Sequence, residues 1–127
     1  MARKQSPTLT EGELRIMAVL WERKEASVRE VTDALSGQQP VAYNTALTML
    51  RILNEKGYAA YRKEGRAFVY YPLVSRHEAR SDALRHLIAK FFNGSPEALA
   101  QNLVDETDID LGELERLQAS IRRGDER

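Results

Sequence analysis

The sequence predicts a mainly α-helical fold with a small β-hairpin, and two observations in its 127 residues lead to this prediction. Apolar residues recur at helical spacing in six segments. Four of these segments begin with a capping box, a Thr, Ser or Asp followed three residues later by Glu. After the third segment the period changes, and two short runs with aromatic residues flank a Gly-Arg pair. We therefore predict two domains, residues 1–74 with the hairpin and residues 75–127 with helices alone.

Composition and charge narrow the class of protein. The chain contains no cysteine, which excludes disulfides, thiolate metal sites and a cysteine nucleophile. Its longest apolar run, Ile16–Trp21, is too short to cross a bilayer, so we expect a cytoplasmic protein without membrane insertion. Residues 1–74 carry 11 Lys and Arg against 8 Asp and Glu, whereas residues 75–127 carry 8 against 11. The resulting charges of +3 and −3 favour a phosphate-binding surface in the first domain.

Two helices come first in the chain. The capping box Thr10–Glu13 begins a helix that runs to about Arg23. Its predicted inward stripe consists of Leu14, Met17, Ala18, Leu20 and Trp21. The box Ser27–Glu30 begins a short second helix that ends near Ser36–Gly37, and Pro40 prevents any helical continuation through the turn. The inward residues of the second helix are Val28, Val31 and Leu35.

The third segment, Tyr43–Lys56, is predicted to be one helix that ends at Gly57. Its apolar face consists of Ala46, Met49, Leu50 and Leu53. Its opposite face consists of Asn44, Thr48, Arg51 and Glu55, with Leu47 beside them. Helix, short helix, turn and helix is the order of a helix-turn-helix module, whose last helix presents its N-terminal part to base edges.

A hairpin follows this recognition helix. Tyr58–Glu64 and Ala67–Tyr71 are the predicted strands, joined by a tight turn at Gly65–Arg66. A hairpin in this place is a wing, so the first domain is predicted to be a winged helix-turn-helix. An isolated hairpin is marginal in water, so the wing must pack on the helices, and the predicted packing residues are Tyr58, Phe68 and Tyr70. Basic side chains near its tip suit contacts with phosphates or the minor groove, although hairpin solubility alone would also explain them.

Residues 75–127 contain three predicted helices. The first runs from the box Ser75–Glu78 to about Asn93, the second begins at Ser95–Pro96, and the third begins at the box Asp110–Glu113. Together they carry more apolar surface than so short a chain can bury alone. We predict that these helices form a homodimer, with folding back onto the wing domain as the alternative. The predicted interface consists of Leu84, Leu87, Ile88, Phe91, Phe92, Leu99, Leu103, Leu114, Leu117 and Ile121.

The sequence contains no recognisable catalytic or metal-binding motif. The run His77–Ser81 begins like a zinc-protease motif but lacks the second histidine. Glu78, Asp82 and His86 share one helix face that could hold a divalent ion, yet such a row is more often solvated surface. We therefore predict no enzyme activity, no cofactor and no metal.

Taken together, these residues resemble the penicillinase-repressor family of winged-helix regulators, the family of the BlaI, MecI and CopY repressors. The resemblance extends from about Leu9 to Arg123. The matching segments are LTEGELRIMAVLW at Leu9–Trp21, VREVTDAL at Val28–Leu35, VAYNTALTML at Val41–Leu50, EKGYAAYRKEGRAFVYYPLV at Glu55–Val74 and FFNGS at Phe91–Ser95. The order and spacing of the segments are more specific than any one of them.

The resemblance implies a homodimeric transcriptional repressor whose winged helix binds double-stranded operator DNA with an inverted repeat. It also implies release by cleavage in the C-terminal part, prompted by a membrane-bound sensor protease that responds to β-lactams. The Asn-Phe bond cleaved in such repressors corresponds here to Asn102–Leu103, where the leucine departs from the pattern. Ile52 also departs, since many members have a basic residue there, and the absence of cysteine excludes the copper-sensing motif of the copper-responsive branch.

The resemblance and the helical wheel together give the predicted DNA contacts. Asn44 has the donors and acceptor to read an adenine, and Arg51 the donors to read a guanine. Leu47 would meet a thymine methyl group or simply be exposed apolar surface. The other predicted contacts are Tyr43, Thr45, Thr48, Arg62, Lys63 and Arg66. Two further interpretations remain open, a MarR-like regulator released by a small effector and a winged helix that serves protein contacts only.

Overall fold

The computed structural model describes residues 8–108 and 110–125. Its helices and strands are α1 Glu11–Arg23, β1 Ala26–Ser27, α2 Val28–Leu35, α3 Tyr43–Lys56, β2 Ala59–Glu64, β3 Ala67–Pro72, α4 Arg76–Phe91, α5 Pro96–Glu106 and α6 Leu111–Asp125. The chain divides into two compact units, the first ending at Leu84 and the second beginning at Arg85. This division falls inside α4, and the functional boundary after Val74 stays a prediction.

Each of the four capping boxes begins a helix, as the sequence predicts. The hydroxyl of Thr10 accepts a hydrogen bond from the Glu13 amide at 3.1 Å, and the Thr10 amide donates to the Glu13 carboxylate at 2.9 Å. The same reciprocal pair forms at the boxes that begin with Ser27, Ser75 and Asp110. These pairs satisfy amide groups that the first turn of a helix leaves without partners, so short local signals define the helix starts.

The core of the first unit lies between α1, α2, α3 and the sheet. Ile16, Met17 and Leu20 of α1 are fully buried. The predicted inward stripe of α1 is wrong in two respects, because Leu14 is 48% exposed, and because Ile16 and Val19, which the stripe omits, are buried. The apolar residues of α1 cover most of its circumference, so the helical period alone could not decide which part of the surface α2, α3 and the sheet cover.

The sheet has three antiparallel strands in the order β1-β3-β2, and not only the two strands of the predicted hairpin. In the added strand, Ala26 pairs with Tyr70 and Ser27 pairs with Val69. A strand of two residues has no sequence period to recognise, which explains why it was not predicted. Its effect is to attach the wing to the segment that joins α1 and α2.

The predicted packing residues of the wing are correct in two cases of three. Tyr58 and Tyr70 are buried, whereas Phe68 is 38% exposed and its ring meets Tyr61 edge-on with centroids 5.4 Å apart. The base of the wing closes where the Leu73 amide donates to the Tyr58 carbonyl at 2.8 Å. Phe68 lies nearer the tip than this closure, which leaves its ring partly exposed.

A charged contact that was not predicted joins the start of α1 to the end of α3. Glu13 is only 5% exposed, and its carboxylate lies 2.7 Å from the Lys56 ammonium group. The same carboxylate completes the capping box with Thr10. One buried side chain therefore serves both a local cap and a contact 43 residues away in sequence.

The second unit contains the end of α4, with α5 and α6. After α4, Asn93 and Gly94 adopt positive φ values of 52° and 80°, which confirms the predicted helix stop. Ser95 then caps α5 by accepting from the Ala98 amide at 3.1 Å. None of the helices within the described residues is long and apolar enough to span a membrane.

We predict that Lys56→Met lowers the free energy of unfolding by about 2 kcal/mol, because it leaves the Glu13 carboxylate buried without its cation. Urea denaturation measures this change. The control is Arg29→Met, which removes an equal charge from the exposed surface of α2 and should change stability by less than about 0.5 kcal/mol. Equal stability of the two variants would show that the Glu13–Lys56 contact contributes nothing.

Candidate nucleic-acid interface

One side of α3 is buried and the other is exposed, as the sequence predicts. Ala46, Leu50 and Leu53 have no exposed surface, and Met49 is half-buried beside them. The predicted contact residues on the opposite side are exposed in every case, namely Tyr43, Asn44, Thr45, Thr48 and Arg51. The side chains that could reach base edges therefore form one continuous surface along α3.

Leu47 differs from its prediction. It is half-buried and packs against the core, whereas the sequence suggested a fully exposed side chain beside the polar residues. The helical wheel puts Leu47 at the border of the two faces, and the packing of the core covers that border. Only the exposed part of the Leu47 side chain is available to contact a thymine methyl group.

The turn before α3 is fixed by α1. The Arg15 guanidinium donates to the main-chain carbonyl of Gln39, which lies in the turn between α2 and α3. Ala42 precedes α3 and makes no side-chain cap, so the amide groups of the first turn have no side-chain acceptor. Such amides, at the positive end of the helix dipole, suit a phosphate group.

Two contacts fix the wing against the end of α3. Gly57 takes the left-handed conformation with φ 88°, which an L-residue rarely adopts, and this reverses the chain into β2. The Asn54 side chain then donates to the Ala59 carbonyl at 2.8 Å. The recognition helix and the wing are thus held together by groups within six residues of one another.

The two faces of the wing carry different basic residues. Tyr61 and Lys63 of β2 alternate with Arg62, and Tyr61 pairs directly with the buried Tyr70. The Lys63 ammonium group lies 5.9 Å from the centre of the Phe68 ring, on the same aromatic face. Lys63 therefore shares the face of the wing that continues into the core, and Arg62 lies on the other face.

The positive charge of Arg51 in α3 acts on Tyr70 of this aromatic face. Burial raises the pKa of Tyr70, the nearby Tyr61 raises it further, and the positive charge of Arg51 lowers it. Arg51 of the recognition helix is therefore coupled electrostatically to the face of the wing that carries Lys63.

Arg62 is engaged by two carboxylates on the opposite face. Its guanidinium donates to both oxygens of Glu25, at 2.8 and 3.0 Å, and its Nε donates to Glu64 at 2.7 Å. The strand register explains this contact. Arg62 of β2 lies opposite Val69 of β3, and Val69 pairs on its other side with Ser27 of β1. Glu25 precedes Ser27 by two residues and therefore lies on the same face of the sheet as Arg62. The hydrogen bonds from Arg62 lower the pKa of Glu25, and those carboxylates raise the pKa of Arg62.

Glu25 is a residue of this surface that sequence reasoning missed. It precedes β1 by one residue and lies 37 residues from Arg62 in sequence. Only the pairing of β1 with β3 brings the two together, so no local pattern could reveal the contact. Arg66, at the turn of the wing, is exposed, and no hydrogen bond or ion pair of its side chain is found within the described residues.

None of the ten predicted interface residues is buried within the chain. Six are exposed, namely Leu84, Leu87, Phe91, Leu103, Leu117 and Ile121. Four are half-buried, namely Ile88, Phe92, Leu99 and Leu114. The candidate cleavage bond, Asn102–Leu103, lies inside α5 with both side chains exposed. Across residues 8–108 and 110–125, no cluster of three His, Asp or Glu is placed to hold a metal ion.

We predict that the Glu25 carboxyl titrates below an ordinary glutamate in an NMR pH titration, because Arg62 donates to its charged form. The variant Arg62→Gln should move this pKa back toward the ordinary value, whereas Arg66→Gln should leave it unchanged. Since the folded-state pKa lies below the unfolded-state pKa, the stabilisation from this pair is present above the unfolded-state pKa. It is lost as the pH falls through the folded-state pKa. An unchanged Glu25 pKa in Arg62→Gln would contradict the pairing.

Comparison with known proteins identifies the family. The family model described as Penicillinase repressor matches residues 9–123. The chain is 30% identical over 115 residues to the transcriptional regulator BlaI of Mycobacterium tuberculosis, a match that covers 88% of this chain and 83% of that one. It is 28% identical over 114 residues to the penicillinase repressor of Bacillus licheniformis, covering 90% of this chain and 89% of that one.

A solved structure supports the same assignment. The solution structure of the DNA-binding domain of the repressor BlaI matches with a TM-score of 0.52 and 36% identity, over 57% of this chain and 89% of that chain. The predicted winged-helix fold and the predicted family are both confirmed. Since the family model matches nearly the whole sequence, this chain belongs to the penicillinase repressor family of winged-helix transcriptional repressors.

Proposed function

We propose that this chain is a homodimeric repressor that binds an inverted-repeat operator in double-stranded DNA and is released by cleavage in its C-terminal part. Residues 1–74 bind the DNA and residues 75–127 form the dimer. The observation that carries the proposal is the exposed polar face of α3, whose other face packs into the core through the fully buried Ala46, Leu50 and Leu53. The similarity to the DNA-binding domain of BlaI supports it.

In this proposal α3 lies in the major groove. The groove is about 12 Å wide, which admits a helix of about 10–12 Å including side chains. Arg51 reads a guanine through two hydrogen bonds, and Asn44 reads an adenine. Tyr43, Thr45 and Thr48 contact phosphates beside the first turns of α3, where uncapped amide groups also favour an anion.

The wing contributes phosphate contacts through Lys63 and Arg66. Both are exposed, and Lys63 lies on the face of the wing whose Tyr70 is influenced by the charge of Arg51. Arg62 was predicted as a third phosphate contact, but its guanidinium already donates to Glu25 and Glu64. We therefore assign Arg62 to holding the wing in position, because contact with a phosphate would require it to leave two carboxylates.

The unburied apolar residues of α4, α5 and α6 support the homodimer. Phe91 is 67% exposed and Ile121 is 62% exposed, and a soluble monomer rarely exposes so many large apolar side chains on adjacent helices. A second copy of the chain would cover these side chains with a matching set. A two-fold symmetric dimer presents two copies of α3, which explains why the operator should be an inverted repeat with half-sites related by whole turns of DNA.

For release, we propose cleavage of the Asn102–Leu103 bond by a membrane-bound sensor protease that responds to β-lactams. Asn102 is exposed, whereas Leu103 belongs to the proposed dimer interface, so the protease approaches the bond from the side of Asn102. The bond lies within α5, so the helix must unwind locally before the bond can enter a protease active site in extended form. Cleavage would separate the end of α5 and the whole of α6 from the rest of the chain and so remove part of the proposed dimer interface.

We predict that Arg51→Ala weakens operator binding by about 1–3 kcal/mol and relaxes the sequence preference at one base pair per half-site, because a base-specific pair of hydrogen bonds is lost. Binding to operators with each base pair varied measures both effects. Unchanged affinity and unchanged preference would show that Arg51 does not read a base.

We predict that two neighbouring wing residues differ in their contribution to DNA binding. Lys63→Ala should weaken binding to all DNA sequences alike and should reduce the slope of log affinity against log salt concentration by about 1. Arg62→Ala is the matched variant and should change the slope less, because Arg62 is already paired with carboxylates. A larger change for Arg62→Ala would show that Arg62 leaves Glu25 to bind phosphate.

We predict that Leu117→Asp converts the protein to monomers, because a charge placed in the proposed apolar interface lacks a partner. The control is Leu73→Asp, since Leu73 has almost the same exposure, 55% against 54% for Leu117, but lies outside the proposed interface. Sedimentation measures the molecular mass of each variant. A dimeric Leu117→Asp would remove α6 from the interface.

We predict that the repressor recovered from cells exposed to a β-lactam contains a fragment that ends at Asn102. Mass spectrometry of the intact chain detects it. The variant Asn102→Gln should prevent cleavage while keeping a helix former of similar chemistry in α5. Full induction with only uncleaved protein would contradict release by proteolysis at this bond.

A further inference from the structure

A cleft of about 380 Å³ lies between α1 and the first turns of α4, inside the first unit. On the side of α1 it is lined by Leu14, Ala18 and Trp21, which share one helix face at spacings of four and three residues. On the side of α4 the alanines Ala79 and Ala83 face it. These short side chains leave the space between the two helices unfilled, which explains why Leu14 is exposed.

One wall of the cleft is held in a fixed position. The Trp21 indole donates to the Val74 carbonyl at 2.9 Å, which fixes the orientation of the ring. The Arg76 guanidinium lies 5.3 Å from the centre of the same ring. The indole thus forms a rigid apolar surface with a cation already beside it.

The two charged side chains that line the cleft are both arginines. Arg76 and Arg80 lie one turn apart on α4, both are exposed, and no carboxylate lines the cleft among the described residues. Neither arginine forms an ion pair with any residue that the structure describes. Arginine binds carboxylates in a two-pronged geometry, so these side chains offer an unused site for one anionic group beside an apolar cavity.

We infer that this cleft binds a small aromatic carboxylate. The ring of the ligand lies between Trp21 and Leu14, and its carboxylate accepts hydrogen bonds from Arg80 and Arg76. The volume falls in the range of about 300–1,000 Å³ that is usual for small-molecule sites, and such sites combine apolar walls with a few polar groups. The residues of this site are separate from the polar face of α3 and from the wing.

A ligand here would contact α4, the helix that also carries the predicted interface residues Leu84 and Leu87. Through α4, the bound ligand would affect dimer formation and so DNA binding. This effect rests on the proposed function, because it requires the chain to be a dimeric repressor. Binding to the cleft itself does not depend on DNA. A binding measurement without DNA therefore tests the site separately from the repressor proposal.

Trp21 is the only tryptophan of the chain, so its fluorescence reports directly on the cleft. We expect 1-naphthoate, added to the full-length protein, to change the Trp21 emission in a saturable manner. The neutral amide of the same ring, 1-naphthamide, should bind at least about tenfold more weakly, because a charge-assisted hydrogen bond is about twice as strong as a neutral one. Equal affinity for the acid and the amide would overturn the proposal, as would a change that never saturates.

Two variants and a control locate the binding. Arg80→Gln should weaken the binding of 1-naphthoate about tenfold or more, because it removes a charged donor. Ala83→Leu should abolish binding because the larger side chain fills the cleft, and the exposed helical position tolerates leucine. Arg29→Gln is the control, because it removes an equal charge from α2, outside the cleft. This variant should bind 1-naphthoate with the same affinity as the unchanged protein. Circular dichroism verifies that each variant is folded. Unchanged affinity in both Arg80→Gln and Ala83→Leu would show that the ligand binds elsewhere and would overturn the proposal.

Discussion

The complete burial of Ala46, Leu50 and Leu53 fixes the rotation of α3 about its own axis, and the proposed DNA surface depends on this. A shift of one residue turns a helix by about 100° and would expose the two leucines, each worth about 1.5–3 kcal/mol of burial. Asn44 and Arg51 therefore cannot turn inward without loss of the core. The Glu13–Lys56 contact adds a second restraint, because it holds the C-terminal end of α3 against the start of α1. A rigid helix of this kind is what recognition of base edges requires.

The wing is held by contacts of two different kinds. On one face, aromatic packing joins Tyr61 to the buried Tyr70, whose pKa the charge of Arg51 lowers. On the other face, the charged contact between Arg62 and Glu25 spans the sheet to the segment before β1. Both side chains of the charged contact are exposed, so solvent screens their attraction and the contact adds little to stability. Its main effect is to fix the orientation of the Arg62 side chain. The basic residues of the wing consequently have different roles although they are neighbours in sequence.

Local signals in the sequence were enough to predict the helices. The bounds of α3 and the four capping boxes depend on side chains within a few residues of one another, and each is confirmed. The features that sequence could not give depend on distant partners. Strand β1 exists only because β3 lies beside it, and Glu25 meets Arg62 only through that pairing. The exposure of Leu14 and Phe68 likewise depends on which neighbours cover them, and the helical or strand period does not contain that information.

In the proposed function a symmetric pair of α3 helices reads DNA. The most direct measurement is a titration of the protein onto the DNA upstream of its own gene, with footprinting, at two salt concentrations and against a scrambled duplex. The proposed function predicts tight binding to the native duplex alone, protection of two symmetric half-sites whose centres lie about 10–10.5 base pairs or a multiple apart, and steep weakening with salt. Absence of binding at low salt, or equal and weak binding to both duplexes, would contradict it.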